Sequence, residues 1–281
     1  MMRTATVIGI GLMGGSLALS FKKKKVFDKI IGVENNENHK AKALELNLVD
    51  DVLNLKSAIQ ESQFVVLAVP VNVSNQIIVE IMDLIDDQIV IDMGSTKESI
   101  IQAISHHPKR NQFVATHPMW GTEYSGPEAA VHNGFIDKAV VICDKENSSV
   151  KALETVEKIF KSLGMHIVYM NPSEHDLHAA YVSHISHITS FALANTVLEK
   201  EKENDAIFEL ASGGFESTVR LAKSNPNMWV PIFKQNKENV LDVLNEHIAQ
   251  LRKFKSCLEK DNYEYLYQLI EQANNIKKII K

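Results

Sequence analysis

Six residues near the start of the chain, Gly9-Ile10-Gly11-Leu12-Met13-Gly14, restrict what it can fold into more than any other stretch. They follow a short β-branched run, Ala5-Thr6-Val7-Ile8. They precede Ser16-Leu17-Ala18-Leu19-Ser20-Phe21, which reads as a helix. Three glycines in G-x-G-x-x-G spacing between a strand and a helix form the turn of a dinucleotide-binding fold. The first glycine makes the turn, the second lets backbone N–H groups approach a pyrophosphate, and the third lets helix and strand pack closely. The helix N-terminus offers unpaired N–H groups and the positive end of its dipole to the phosphates. Gly9, Gly11, Leu12, Met13 and Gly14 are therefore candidate cofactor-binding residues.

A second strand, Ile30-Ile31-Gly32-Val33, ends at Glu34, twenty residues after Gly14. An acidic residue there can accept hydrogen bonds from the adenosine ribose and repels a 2′-phosphate, which favours NAD over NADP. The competing reading is a surface glutamate, and Lys40 nearby complicates the preference for NAD. Further strands are expected at Phe64–Pro70, Gln88–Asp92, Phe113–Thr116, Ala139–Ile142 and His166–Tyr169. Helical stretches around Val73–Leu84, Lys97–Ile104 and Ser149–Leu163 alternate with them. Phe64–Val69 is apolar on both faces, as a buried parallel strand requires. The alternation predicts an α/β Rossmann-type doubly wound sheet over residues 1–170. Residues 171–281 read as all-helical, with Ser173 as the first cap.

Ligands of such sheets bind at the carboxyl ends of the strands. Three segments fall there. Val69-Pro70 is a candidate wall of the cofactor cleft. In Asp92-Met93-Gly94-Ser95-Thr96-Lys97, Ser95 is either a donor to substrate or a helix cap. In Thr116-His117-Pro118-Met119-Trp120-Gly121-Thr122-Glu123, proline biases His117 to an extended backbone and Gly121 allows a sharp turn. That arrangement presents an imidazole at a strand tip, either as a solvated loop residue or as a general base.

The helical half carries His175, His178, His184 and His187. Nine residues separate His175 from His184, which places them on opposite faces of a straight helix. A metal site is set aside because no cysteine or ordered cluster of carboxylates completes it. A polar helix face and a polar lining toward the cofactor domain both remain. Gly213-Gly214 breaks the helix, and the next helix carries Arg220, suited to bidentate carboxylate binding. Asn225-Pro226-Asn227-Met228-Trp229 reads as a turn that ends it. From Ile232 to Ile280 the pattern suits two amphipathic helices, with Val240, Leu241, Leu244, Ile248 and Leu251 on a core or an oligomer seam.

The net charge of −5 argues against nucleic acid as a partner. Two distant cysteines, Cys143 and Cys257, fit a reducing compartment better than a disulfide framework. No apolar run reaches membrane-spanning length, and the N-terminus lacks the layout of a signal peptide. A cytoplasmic protein that touches no membrane is expected.

Taken together, these motifs resemble those of the prephenate dehydrogenase (TyrA) family over nearly the whole chain. Val7–Ser16 resembles its cofactor loop, and Asp92–Lys97 its D-x-G-S-x-K segment. His117–Gly126 is similar to H-P-M-x-G-T-E-x-S-G, and Ser183–His187 to S-H-L-P-H, with His175-Asp176 upstream. Gly213–Arg220 and Asn225–Trp229 resemble G-G-F-x-D-x-T-R and D-P-x-M-W. Departures are Ser186 for proline, Ser217 and Val219 for aspartate and threonine, and Trp120 for a small residue.

The resemblance implies an NAD-dependent oxidative decarboxylation of prephenate to 4-hydroxyphenylpyruvate in tyrosine biosynthesis. It implies His117 as the catalytic base and Ser95 hydrogen-bonded beside it. His184, Ser183 and Arg220 would bind substrate, and Glu123 with Thr122 would lie at the entrance. It also implies a helical dimerisation domain, and hence a homodimer. An imidazole of ordinary basicity, about 6.5, suits the base. Alternatives are an arogenate or dual-specificity cyclohexadienyl dehydrogenase, a β-hydroxyacid dehydrogenase and a non-catalytic NAD-binding protein.

Overall fold

A computed structural model of the chain describes residues 3–201 and 212–279. Residues 202–211 of the expected helical half, and Ile280 at the end of its last expected helix, lie outside them. By packing, the chain divides into Met1–Asn236 and Lys237–Lys281.

The first unit is built on one sheet. Its strands are β1 (Thr4–Ile8), β2 (Lys29–Val33), β3 (Asp51–Val52), β4 (Phe64–Leu67), β5 (Ile89–Asp92), β6 (Phe113–Pro118), β7 (Ala139–Cys143) and β8 (His166–Met170). Their order is β3-β2-β1-β4-β5-β6-β7-β8. All neighbours run parallel except β6 and β7, where His117 lies opposite Val141. The strand order reverses between β1 and β4. A crevice opens there because the chain leaves these two adjacent strands toward opposite faces.

Alternate residues of each strand feed opposite faces, as the pleat dictates. Val7, Val66 and Ile91 join a cluster with Leu17 of α1 (Leu12–Lys24) and Phe160 of α6 (Val150–Ser162). Val65, Leu67 and Val90 join the other cluster. That one includes Ile59 of α3 (Leu55–Glu61), Ile78 of α4 (Val71–Leu84) and Ile100 of α5 (Glu98–Ala103). Each such aliphatic side chain contributes about 1.5–3 kcal/mol by burial. The expected doubly wound sheet is therefore present. The sequence reading omitted β3, because two residues are too short for any periodicity. It also omitted α2 (Glu37–Glu45), whose cap is the Asn36 side chain, which accepts from His39 N–H.

After β8 the described residues contain no further strand. The helices there are α7 (Pro172–Ala179), α8 (Ile185–Glu201), α9 (Gly213–Val219) and α10 (Pro226–Gln235). Asn171, not Ser173, caps α7 and accepts from Glu174 N–H, while the Ser173 hydroxyl donates to Asn171 Oδ1. Asn225–Trp229 is not a terminating turn. Asn225 caps α10 and Pro226 sits in its first turn, where the missing N–H costs nothing. Gly213 opens α9, and Arg220 follows it on a 3₁₀ turn. The second unit holds α11 (Lys237–Glu259) and α12 (Tyr263–Ala273).

Candidate active site

The glycine loop leaves β1 at the strand reversal. Gly9 has φ +89°, and a Cβ there would lie 2.7 Å from the Ala68 carbonyl oxygen. A Cβ on Gly14 would sit 2.0 Å from the Gly9 carbonyl oxygen, so α1 packs against the turn as only glycine allows. Gly11 precedes α1 as its cap without a side-chain bond, and no acidic residue occupies the first turn. The first N–H groups of the helix, at Leu12, Met13 and Gly14, thus have no intrahelical partner. This cradle fits a pyrophosphate. The Glu34 carboxylate is held at the tip of β2 by the N–H groups of Ile10 at 3.2 Å, Asn35 at 2.9 Å and Asn36 at 3.0 Å. Lys40 is drawn to Glu37 instead, at 2.6 Å. Gly11, Leu12 and Met13 line one cleft with Val69 and Pro70 across the reversal, and Ser95, Tyr124, Asn225 and Met228 close it.

His117 emerges at the end of β6, with Phe113 and Ala115 on the same face of the strand. It is 9% exposed. Its Nδ1 lies 2.8 Å from His175 Nε2, and His175 Nδ1 lies 2.8 Å from Asp176 Oδ1. Asp176 Oδ1 and Oδ2 accept from the N–H groups of Lys97 at 2.8 Å and Glu98 at 3.0 Å. Asp176, from another helix, thereby caps α5. Ser95 does not, and no hydrogen bond among the described residues joins it to His117. Its place on the cleft wall is what the structure retains of the expectation.

Below this chain lies a buried ion pair. Lys97 Nζ contacts Asp92 Oδ2 and donates to the Thr116 carbonyl at 2.9 Å. Asp92 Oδ1 accepts from Thr116 N–H at 3.1 Å, and Oδ2 accepts from Gly94 N–H at 3.0 Å. Both side chains are almost wholly buried. Burial first, then His175, Lys97 and His184, push the His117 imidazole well below its ordinary basicity. The expectation of an unperturbed imidazole is thereby corrected: His117 is held neutral because a second positive charge beside Lys97 has no solvent to screen it.

The opposite-face expectation for His175 and His184 also fails. A π-helical turn, Ala180–His184, separates α7 from α8 and rotates the later residues less per step. Both histidines are consequently buried on the His117 side, and Asn236 Nδ2 joins them. It donates to the Asp176 carbonyl at 2.6 Å and to His184 Nδ1 at 3.2 Å. His184, expected to meet substrate, is 1% exposed and its basicity falls to about 4 by burial. His187 is the more open imidazole. Its Nδ1–H donates to the Ser183 carbonyl at 3.1 Å. The His187 ring stacks on Trp229 at 3.5 Å. Burial and then nearby Arg220 lower its basicity, despite the Ser183 bond.

Arg220 Nη1 donates to Glu123 Oε2 at 2.7 Å, joining the α9 region to the loop after β6. Glu123 is held below the usual carboxylate range by its own backbone N–H and by Arg220. Thr122 Oγ1 accepts weakly from Tyr124 N–H at 3.4 Å. Trp120 packs at 5.1 Å on Phe135 and covers Gly134, where a Cβ would meet the indole at 2.4 Å. Its bulk anchors the loop to the sheet core. Sequence reasoning missed Lys97 and Asp176 as members of the site. The only signal was their place within recognised motifs.

Two domain families match the chain. The nucleotide-binding domain of prephenate dehydrogenase matches residues 17–169, and the dimerization domain of prephenate dehydrogenase matches residues 171–272. A prephenate dehydrogenase of Bacillus subtilis is 30% identical over 98% of this chain and 75% of its own length. A cyclohexadienyl dehydrogenase of Zymomonas mobilis is 27% identical, covering 98% and 95%. The crystal structure of a prephenate dehydrogenase from Aquifex aeolicus, in complex with hydroxyphenyl propionate and NAD+, superposes with a TM-score of 0.90. It is 29% identical and covers 100% of this chain and 99% of that one. The Synechocystis arogenate dehydrogenase gives 0.78 at 25% identity, covering 99% and 100%. The glycine cradle, the buried histidine at the end of β6 and the helices behind it are thus those of a known lineage, and the chain belongs to the prephenate dehydrogenase family.

Proposed function

We propose that this NAD-dependent dehydrogenase oxidatively decarboxylates prephenate to 4-hydroxyphenylpyruvate, in tyrosine biosynthesis. The observation that carries the reading is His117. It is a neutral, buried imidazole at a strand end, in the same unit as a pyrophosphate cradle. NAD, held by Gly9, Gly11, Leu12, Met13, Gly14, Glu34, Val69 and Pro70, supplies the hydride acceptor. His117 Nε2 takes the proton of the C4 hydroxyl as that carbon is oxidised. Loss of the ring carboxylate as CO₂ then restores aromaticity. Arg220 and His187 hold a substrate carboxylate, with His187 taking the part first given to His184. Glu123 and Thr122 stand at the entrance, and Ser95 donates from the cleft wall.

The functional division we adopt is 1–170 for cofactor and 171–281 for substrate and dimerisation. The meeting of the two family matches at 169 and 171 supports it. A cytoplasmic homodimer is the assembly we infer. The dimerization-domain match supports it, as do Leu241 and Leu251, 44% and 55% exposed on α11. No described helix is long and apolar enough to cross a membrane.

Arogenate is the second reading, favoured by the arogenate and cyclohexadienyl dehydrogenases among the relatives. Both substrates share the ring chemistry and differ in the side chain. NADH absorbance with each substrate in parallel decides between them. Turnover of prephenate with little on arogenate is the expected result. Failure of folded protein with both substrates overturns the dehydrogenase reading.

A further inference from the structure

The hydrogen bonds around His117 have a direction that can be worked out from one end. Both oxygens of Asp176 accept from the backbone, from Lys97 N–H and Glu98 N–H, the arrangement of an ionised carboxylate. Such a group can only accept. His175 Nδ1 must therefore carry the proton in its 2.8 Å contact with Oδ1. A neutral His175 then has a bare Nε2, which can only accept. His117 Nδ1, 2.8 Å away, must donate to it. The remaining nitrogen of His117, Nε2, is left with its lone pair free.

We propose that His175 and Asp176 are positioning residues that fix His117 in the tautomer whose Nε2 is a free base, and that Asp176 counters the charge arising there when it takes a proton. The inference rests on His117 being the base of the proposed reaction, but the tautomer itself does not. Capping α5 does not account for the arrangement, since the Asp176 backbone contacts would serve without His175. Nor is this an isolated contact. Asn236 Nδ2 donates to the Asp176 carbonyl and so ties down the second half of the histidine-bearing helix. The titratable groups acting on His117 are His175 from α7, His184 from the π turn and Lys97 from the segment before α5, with Asp176 behind His175 and Asp92 behind Lys97. Of these, only the Asp176 chain reaches an imidazole nitrogen of His117. A locked tautomer matters because a neutral imidazole otherwise divides its proton between two nitrogens, and only one arrangement can accept from substrate.

Asp176→Asn separates this role from packing. An amide keeps one acceptor where the carboxylate had two. With its NH₂ toward His175, it forces the proton of His175 onto Nε2. That proton is then donated to His117 Nδ1, and His117 Nε2 becomes protonated. Nitrogen-15 NMR of histidine-labelled free protein reads this directly. We expect wild-type His117 to show a protonated Nδ1 and a bare Nε2 at neutral pH, and Asp176→Asn to lose that single tautomer, with signal from a protonated Nε2. kcat should fall about 10²–10⁴-fold, as for loss of a general base, while NAD binding stays near normal. His175→Gln keeps an acceptor for His117 Nδ1–H and should retain at least about tenfold more kcat than His175→Leu, of similar size. A wild-type His117 protonated at Nε2 overturns the proposal, and so do equal losses in the Gln and Leu variants. If Asp176→Asn does not fold, the wild-type spectrum and the His175 pair still decide. Wild-type protein inactive on both substrates would instead count against the function and leave the tautomer result standing.

Discussion

His117 and Arg220 both belong to the proposed substrate site, yet they are held in opposite ways. His117 ends a central strand, sits 9% exposed, and reaches through His175 and Asp176 to the start of α5. Arg220 lies on a 3₁₀ turn, and its side chain is about half exposed, with Glu123 across a single 2.7 Å bond. The first is fixed by a network of buried bonds, none of which can be lost without leaving a desolvated polar group. The second is fixed by an ion pair that water can replace. The difference suits the two tasks. Proton abstraction needs one orientation to within a fraction of an ångström, whereas capture of a carboxylate needs a group that can adjust and release.

The comparison is broken most directly at His117 itself. His117→Ala should lower kcat about 10²–10⁴-fold while fluorescence titration still finds NAD bound. A near-normal kcat would remove it from the chemistry. Lys97→Met tests the network rather than the base. It leaves Asp92 buried without its cation, which should cost about 3–5 kcal/mol in a urea unfolding curve. A change below 1 kcal/mol would mean that the sheet end tolerates the bare carboxylate and that the rigid side of the comparison is overstated.

The two regions also differ in how far the sequence reveals them. Gly9 to Gly14 and the β4 and β5 runs are legible because glycine geometry and apolar runs act within a few residues. His117 is legible as a presented imidazole because Pro118 and Gly121 shape its own backbone. The network under it is not, because Lys97 meets Asp176 across 79 residues and Asn236 meets it across 60. No local pattern encodes such contacts. The π turn escapes for another reason. Ala180-Tyr181-Val182-Ser183-His184 is ordinary helical sequence, and the extra residue per turn shows only as the burial of both His175 and His184. That one irregularity buries His184 and leaves His187 the more open of the two imidazoles.

Acid probes the buried side through His184. Its folded-state basicity is about 4, against 6.5 in the unfolded chain. Above pH 6.5 both states are neutral there and nothing changes. Between 6.5 and 4 the unfolded chain takes up the proton and the folded one does not, so stability falls as pH falls. At 1.36 kcal/mol for each pH unit the loss approaches about 3 kcal/mol by pH 4. His184→Gln should flatten that part of the stability profile relative to wild type. An unchanged slope would show that another group carries the acid sensitivity.

The smallest effect on the fold belongs to Arg220. A pair whose arginine is half exposed, such as Arg220–Glu123, is worth about 1 kcal/mol, and it weakens with salt. Arg220→Ala should thus leave the unfolding midpoint nearly unmoved while raising KM, and kcat should change less than KM. Glu123→Gln separates two roles for the pair. If Glu123 only aims Arg220, KM rises modestly, because the guanidinium keeps its charge. If it competes with the substrate carboxylate, KM falls, and falls more at low ionic strength where the pair is strongest. An Arg220→Ala protein with unchanged KM, or one that loses several kcal/mol of stability, would erase the distinction between a rigid base and an adjustable anion clamp.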